Sequence, residues 1–108
     1  MMKDFFESVD VATTVCDLDG NVIYQNQRAK QVLGDACGHN LKECHQPASW
    51  AKIVEMLSHG SSNAYTIEKG GLRKLIYQTP WYDNGTVAGL VEYSIVLPEG
   101  MPHKVRGN

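Results

Sequence analysis

The dipeptide Asn84-Gly85 constrains this chain more than any other feature, because it separates two long β-prone segments. Residues 72–82 and 87–97 are rich in aliphatic, β-branched and aromatic side chains, which favour extended structure. Asn-Gly suits a two-residue hairpin loop, since both of its residues adopt a positive φ at low cost. The sequence therefore predicts a long closing hairpin, on which the rest of the chain must pair or pack.

Three further β-prone segments lie upstream, each next to a turn signal. Residues 11–17 and 21–24 flank Asp19-Gly20, and residues 64–68 precede Gly70-Gly71. Short turns of this kind join antiparallel neighbours. Together with the hairpin, these segments predict a five-stranded antiparallel sheet.

Apolar spacing predicts a short amphipathic helix in residues 1–10. Its apolar side chains recur at i, i+3, i+4 and i+7, as Met2, Phe5, Phe6 and Val9. A helix of this length is marginal in isolation. Its apolar stripe must therefore dock, either on its own sheet or on a second copy of the chain.

Two more helices carry recognisable end signals. Asn26 is suited to cap the start of the first, and Gly34 is suited to end it. Pro47 fits the first turn of a longer helix that stops at Gly60. We expect the apolar face of this longer helix to consist of Trp50, Ile53, Val54 and Leu57. A single helical turn is expected around residues 41–44.

The 108 residues are predicted to form one α+β domain, with the helices packed on one face of the antiparallel sheet. It consists of the N-terminal helix, a core at residues 11–97 and a tail at residues 98–108. A net charge of −2 gives no electrostatic basis for binding nucleic acid. No segment has the apolar length of a membrane span, so a soluble, cytoplasmic domain without a membrane partner is expected. Three cysteines without a CxxC pair favour a reducing compartment.

The chain resembles the PAS domain family in the order of its elements and in two motifs. Residues 15–29 resemble the family's opening D-x-x-G-x-I-x-x-x-N-x-A, and residues 82–89 resemble its closing D-x-x-G-x-x-x-G. The likeness covers residues 5–97. Residues 40–47 and 90–92 are similar to a PAS subgroup with N-C-H-x-P before the long helix and L-E-V in the last strand. Glu43 replaces the first Asn of that subgroup, and Val96-Leu97-Pro98 replaces the usual Asp-Ile-Thr ending.

This resemblance implies a sensory and dimerisation module of the signalling type, without catalysis. PAS domains bind a small ligand, haem or flavin between sheet and helices, or bind nothing and act as interaction units. A homodimer and a signalling output protein are the partners that the resemblance implies. Since the fold is shared widely, it does not identify a ligand.

Four polar residues are the candidate ligand-binding residues: His45, Gln78, Glu92 and Ser94. The resemblance implies that the loop holding His45 lines the cavity. Three interpretations of His45 stay open, namely an axial ligand to haem, a hydrogen-bond donor to Glu92, and a half-exposed residue at a helix end. Haem is therefore possible, and the cofactor is otherwise unknown.

The orientation of Glu92 decides whether this face of the sheet lines a polar ligand cavity or has only a structural role. Strand alternation puts Leu90, Glu92 and Ser94 on one face, and the resemblance points that face towards the helices. Apolar residues occur on both faces, so hydrophobicity alone leaves the opposite orientation open, with Glu92 in solvent. The other face is also too apolar for water, which predicts a dimer interface that includes Phe5, Phe6, Tyr77 and Tyr93.

Three metal-dependent alternatives are weaker. Asp17-Leu18-Asp19-Gly20 is similar to the nucleophile motif of haloacid-dehalogenase-type phosphatases, but that chemistry needs a larger parallel core and a downstream lysine. The same run begins like a calcium loop, yet Arg28 stands where a bidentate Glu is needed. Four soft or borderline ligands cluster in one loop, at Cys37, His39, Cys44 and His45. Their spacing matches no common zinc site, so no metal is predicted.

Overall fold

The predicted hairpin is the centre of the sheet in the computed structural model, which describes residues 2–34, 39–43 and 46–107. The described strands are β1 (Ala12–Asp17), β2 (Val22–Gln25), β3 (Asn63–Lys69), β4 (Leu72–Asp83) and β5 (Thr86–Leu97). They form one antiparallel sheet in the order β2-β1-β5-β4-β3. The predicted fold class is confirmed.

The hairpin loop has the geometry that its sequence predicts. Asn84 has a φ of 51° and Gly85 a φ of 79°, and Asp83 pairs with Thr86 on either side of them. Two consecutive positive φ values define a loop whose twist matches that of the flanking strands. The register of β4 against β5 follows from this loop.

The helices also begin and end near the predicted signals. They are α1 (Met2–Ser8), α2 (Gln27–Leu33) and α3 (Pro47–Ser58), with a 3-10 turn at Leu41–Glu43. The side chain of Asn26 accepts the N–H of Ala29 at the start of α2, and Gly34 follows its end with a φ of 80°. Pro47 occupies the first turn of α3. None of the described helices is long and apolar enough to cross a membrane.

The core lies between α3 and the centre of the sheet. Ile53 and Leu57 of α3 belong to the same buried cluster as Cys16 of β1 and Leu90 of β5. Burial raises the pKa of the Cys16 thiol to about 11, so this cysteine stays protonated at neutral pH and acts as a small apolar residue.

One predicted core residue of α3 is wrong. Val54 is 47% exposed, whereas Met56, which the prediction omitted, is buried. Residues 53, 56 and 57 lie on one side of an α-helix, and residue 54 is rotated by about 100° from residue 53. The sheet covers only one side of α3, so Val54 falls on its flank.

Asn26 connects α1 to the rest of the domain. Its carboxamide nitrogen donates to the carbonyl of Phe6 at 2.8 Å. The Tyr24 hydroxyl donates to Glu7 at 2.7 Å. Burial and the Glu7 carboxylate raise the pKa of Tyr24 to about 12, so the hydroxyl keeps its proton and continues to donate. The backbone of α1 and the side chain of Glu7 thus help to hold this helix, and Phe5 and Phe6 are exposed and lie outside the buried core.

Candidate functional site

The structure places Glu92 on the side of the sheet that faces the helices. Glu92 pairs with Gln78 on β4, which is 3% exposed. Leu90, two residues earlier on the same face, is in the α3 core. The helix-facing orientation of the Leu90-Glu92-Ser94 side is therefore the observed one.

A row of polar side chains crosses the sheet on this face. The cross-strand pairs are Asn63 with Gln78, Gln78 with Glu92, Glu92 with Thr14, and Thr14 with Gln25. Three of these pairs are joined by hydrogen bonds. Asn63 Nδ2 donates to Gln78 Oε1 at 3.2 Å, Gln78 Nε2 donates to Glu92 Oε1 at 2.7 Å, and Gln25 Nε2 donates to Thr14 Oγ1 at 3.4 Å. The interior face therefore carries a polar belt where an apolar core would be expected.

A groove opens between α3 and the outer strands, next to one end of this belt. Its volume is about 380 Å³, which lies within the range of small-molecule sites. We call it the α3 groove, and its lining includes Lys52, Ile53, Met56, Asn63, Tyr65 and Gln78. The α3 wall of the groove is mixed, with Ile53 and Met56 beside the polar Ser49 and Lys52, and the polar belt begins at the opposite wall.

Glu92 does not line the α3 groove itself but pairs with the groove residue Gln78. The pKa of Tyr65 is raised, first by burial and then by the charge of Glu92. Glu92 itself is half-buried, and its one hydrogen bond to a described residue comes from Gln78. A carboxylate offers about four lone-pair sites, of which the described residues occupy one.

Ser94 shares this face but lies at a different groove. It pairs with Ala12 and Ile76, one step along the sheet from Glu92. Ser94 lines a groove of about 310 Å³ that also includes Arg28 of α2 and Lys74 of β4. The structure thus brings Gln78 and Glu92 together, and places Ser94 apart from the α3 groove.

His45 lies outside the described residues, together with Cys37 and Cys44. Its proposed roles towards haem or towards Glu92 therefore stay predictions. Of the four loop ligands considered for zinc, only His39 is described. Within the described part of the chain, no three His, Cys, Asp or Glu side chains cluster to hold a metal.

Asp17 is occupied by the turn that follows β1. Its Oδ1 accepts the backbone N–H groups of Asp19 and Asn21, both at 2.9 Å. Desolvation acts to raise the pKa of Asp17, but the hydrogen bonds from Asn21 and its neighbours outweigh it and lower the pKa. This geometry gives Asp17 a structural role, as the β-turn interpretation predicts.

Three of the four residues predicted for a dimer interface are exposed in the single chain, and Tyr93 is half-buried. Phe5 is 68% exposed and Phe6 54% exposed. Tyr77 and Tyr93 pair with each other on the sheet face opposite Glu92, and Tyr77 is also exposed.

Asn63, Tyr65 and Lys52 are groove residues that sequence reasoning missed. Asn63 was excluded because β3 was expected to begin at Ala64, one residue too late. The cross-strand register, which puts Asn63 opposite Gln78, would have identified it.

Comparison with solved structures identifies the class of this fold. The PAS domain of an HTR-like protein from Haloarcula marismortui is 16% identical, with 89% of this chain and 88% of that chain covered and a TM-score of 0.68. The Aer2 receptor from Vibrio cholerae, described as a dual PAS-heme oxygen sensor, is 14% identical, with coverage of 82% and 95% and a TM-score of 0.62. VqmA bound to DPO is 18% identical, with coverage of 93% and 58% and a TM-score of 0.69.

The chain therefore has the PAS fold. No protein-family model matches its sequence, and no curated protein matches it either. The subgroup with a Cys-His-x-Pro motif stays a prediction, since residues 44 and 45 lie outside the described part.

Proposed function

We propose that this chain is a non-catalytic PAS-type sensory domain that binds a small polar or amphipathic ligand in the α3 groove and relays its state to an output protein. The observation that carries the proposal is the hydrogen-bonded series Asn63–Gln78–Glu92 beside that groove. Two of its members, Asn63 and Gln78, line the groove directly.

The buried polar belt lowers the stability of the domain, which suggests that it serves a function. An amide or carboxylate taken out of water loses free energy that its internal hydrogen bonds only partly restore. Apolar residues of similar size at positions 78 and 92 would pack against Ile76, Leu90 and Met56 without that penalty. A few polar groups beside a concave, partly apolar surface are the usual composition of a ligand site.

The structural neighbours are consistent with this use of the fold. One is described as bound to DPO and another as a dual PAS-heme oxygen sensor. For this chain the polar series favours the small ligand, and haem bound through His45 is the alternative.

Replacing Gln78 with leucine should reduce capture of the native ligand at least about tenfold. The variant removes the groove amide and its hydrogen bond to Glu92, while keeping a side chain of similar size. Nondenaturing mass spectrometry of the purified chain should show a bound small molecule in the wild type and at least tenfold less, about 1.4 kcal/mol or more of binding free energy, in the variant. Gln27→Leu, an exposed position, is the matched control and should retain the ligand.

Equal ligand content in Gln78→Leu and wild type would contradict the proposed site, and a wild type without any bound molecule would favour a ligand-free interaction module. A thermal melt of each variant shows whether a loss of bound ligand is caused by unfolding. Absorption spectra after addition of haem test the alternative: a Soret shift that disappears in His45→Ala would support haem.

A homodimer is proposed for the same domain, because α1 exposes Phe5 and Phe6 while the domain holds α1 through Asn26 and Tyr24. The double variant Phe5→Ser/Phe6→Ser should shift the molecular mass in light scattering from dimer to monomer. Losing two large apolar side chains from an interface costs several kcal/mol, enough for a shift of about a hundredfold or more in Kd. Val105→Ser, at an exposed position in the tail, should leave the mass unchanged. A dimer that survives the double variant contradicts this interface.

A further inference from the structure

A second groove lies between α2 and the ends of β4 and β5 that are remote from their hairpin loop. We call it the α2 groove. Its volume is about 310 Å³, near the lower end of the range for small-molecule sites. No described residue lines both this groove and the α3 groove, so the two are separate. The lining residues that matter for its chemistry are Asp10, Arg28, Val32, Lys74, Ser94 and Val96.

Lys74 places a cation on the helix-facing side of the sheet. Strand alternation puts Lys74 on the same face as the buried Ile76 and Gln78, and Lys74 itself is half-buried. It pairs with Val96 on β5, whereas Ser94 pairs with Ile76. Lys74 and Ser94 are therefore diagonal neighbours on one face, within reach of a common small ligand. An ammonium group and a hydroxyl donor thus line the same groove.

Arg28 of α2 supplies a second half-buried cation to the α2 groove. Its Nε lies 3.2 Å from the carboxylate of Asp10, and its Nη1 donates to Gln31 at 3.3 Å. A guanidinium group carries five N–H donors, so these two contacts use only part of it. The contact with Asp10 shows that the Arg28 guanidinium is accessible to a carboxylate at this groove.

Two acidic groups oppose an anion in the α2 groove. The Asp10 side chain is 91% exposed, so solvent screens its charge and its ion pair is weak. Glu92 lies two residues before Ser94 on the same face, but its carboxylate accepts a hydrogen bond from Gln78, which lines the α3 groove. The α2 groove is therefore lined by two half-buried cations and one exposed acid, and this balance favours an anionic ligand.

We propose that the α2 groove is a second ligand site, which binds a small organic carboxylate through Arg28, Lys74 and Ser94. The planar guanidinium matches the two oxygens of a carboxylate, while the ammonium and hydroxyl groups donate from the sheet. Val32 and Val96 line the same groove and offer aliphatic surface to the body of the ligand. This site is independent of the ligand proposed for the α3 groove.

Isovalerate, isoamyl alcohol and isoamylamine form a suitable probe set, because they share one branched apolar chain and differ in the charge of the end group. Inorganic phosphate is the fourth probe, an anion without an apolar body. Each is titrated into the isotopically labelled full chain and followed by NMR. The backbone amide of Ser94 and the methyl groups of Val32 and Val96 report on the α2 groove, and the side-chain amide of Gln78 reports on the α3 groove.

Isovalerate should shift the signals of the α2 groove, with the alcohol and phosphate weaker and the amine without effect at the same concentrations. Lys74→Met should weaken isovalerate by at least about tenfold, the usual loss for a charge-assisted hydrogen bond. Lys104→Met makes the same chemical change at an exposed position of the tail and should leave the affinity unchanged. Asp10→Asn removes the exposed acid beside the site and should tighten isovalerate by up to about threefold.

Any of the other three probes binding as tightly as isovalerate would overturn the carboxylate assignment. Equal isovalerate affinity in wild type and Lys74→Met would overturn it as well, and so would weaker binding in Asp10→Asn. Isovalerate that shifts the Gln78 amide but not the Ser94 amide would place the carboxylate in the α3 groove and contradict a second site. If isovalerate moves none of these signals up to about 10 mM, a limit well above weak millimolar binding, the proposal fails. The proposal for the α3 groove is tested separately by the native ligand in mass spectrometry.

Discussion

Asn26→Ala should destabilise the domain by about 4 kcal/mol, the largest effect expected for a single side chain here. Asn26 is fully buried, and its carboxamide makes four hydrogen bonds. The oxygen accepts the N–H groups of Thr13 and Ala29, each at 3.0 Å. The nitrogen donates to the carbonyls of Phe6 and Val11, each at 2.8 Å. Alanine removes the acceptor of the buried Thr13 and Ala29 N–H groups and the donor to the Phe6 and Val11 carbonyls, of which Val11 keeps the hydroxyl of Thr13 as a partner.

Urea denaturation measures this loss, and two further variants interpret it. Gln27→Ala, at the next and exposed position, should stay within about 0.5 kcal/mol of the wild type. Asn26→Asp keeps an acceptor for Thr13 and Ala29 but turns a second oxygen towards two carbonyls. Those carbonyls raise the pKa of the new carboxyl in the folded state. Asn26→Asp should therefore gain stability as the pH falls through that raised pKa, because only the protonated form can donate.

An Asn26→Ala domain within about 1 kcal/mol of wild type would contradict the role assigned to this residue. The same outcome would mean that α1 is held in place by other contacts. The expected result is a coupled loss of β1, α1 and the start of α2, since Asn26 bonds to all three.

Gly89→Ala should cost about 3 kcal/mol, because no space exists for a β-carbon at this position. A β-carbon built on Gly89 lies 2.0 Å from the carbonyl oxygen of Cys16 and 2.6 Å from the indole nitrogen of Trp81. That nitrogen donates to the same carbonyl at 3.0 Å. One β-carbon would therefore both strain the pairing of β1 with β5 and displace the indole.

Thermal or urea denaturation measures the cost, and a double-mutant cycle tests its origin. Trp81→Phe removes the indole donor and should cost about 1 kcal/mol alone. If Gly89→Ala acts by displacing the indole, the double variant should cost less than the sum of the single variants. If the free-energy costs of the two single variants are fully additive, Gly89→Ala acts only through the backbone of β1. Gly107→Ala, with nothing within 4 Å of its built β-carbon, should be close to neutral, and a neutral Gly89→Ala would contradict the close contact.

Features that depend on a few neighbouring residues were predicted well from the sequence. The Asn84-Gly85 loop, the Asn26 cap and the Gly34 end are each decided by local φ preferences and by one or two hydrogen bonds. The α3 face was predicted less well. Val54 and Met56 are both apolar, and only the position of the sheet relative to α3 decides which of them is buried.

The candidate site was predicted in part. Gln78 and Glu92 were expected to converge and do so, through a 2.7 Å hydrogen bond. Ser94 was expected in the same cavity and instead lines the groove beside α2. Strand alternation places residues 92 and 94 on one face, but it does not say which helix covers each of them. The sequence did not indicate Asn63, because it predicts that β3 begins one residue later than it does.

The sequence by itself determined the hairpin, the caps and the alternation of β5, because these follow from turn chemistry and backbone preferences within short segments. Only the tertiary structure decided which face of β5 is interior. Both faces carry enough apolar residues to pack, so the choice is made when α3 covers Leu90 and Cys16. Glu92 lies on the same face as Leu90 and is therefore also turned towards the helices. The antiparallel register then aligns Glu92 with Gln78 and Asn63 beside the α3 groove.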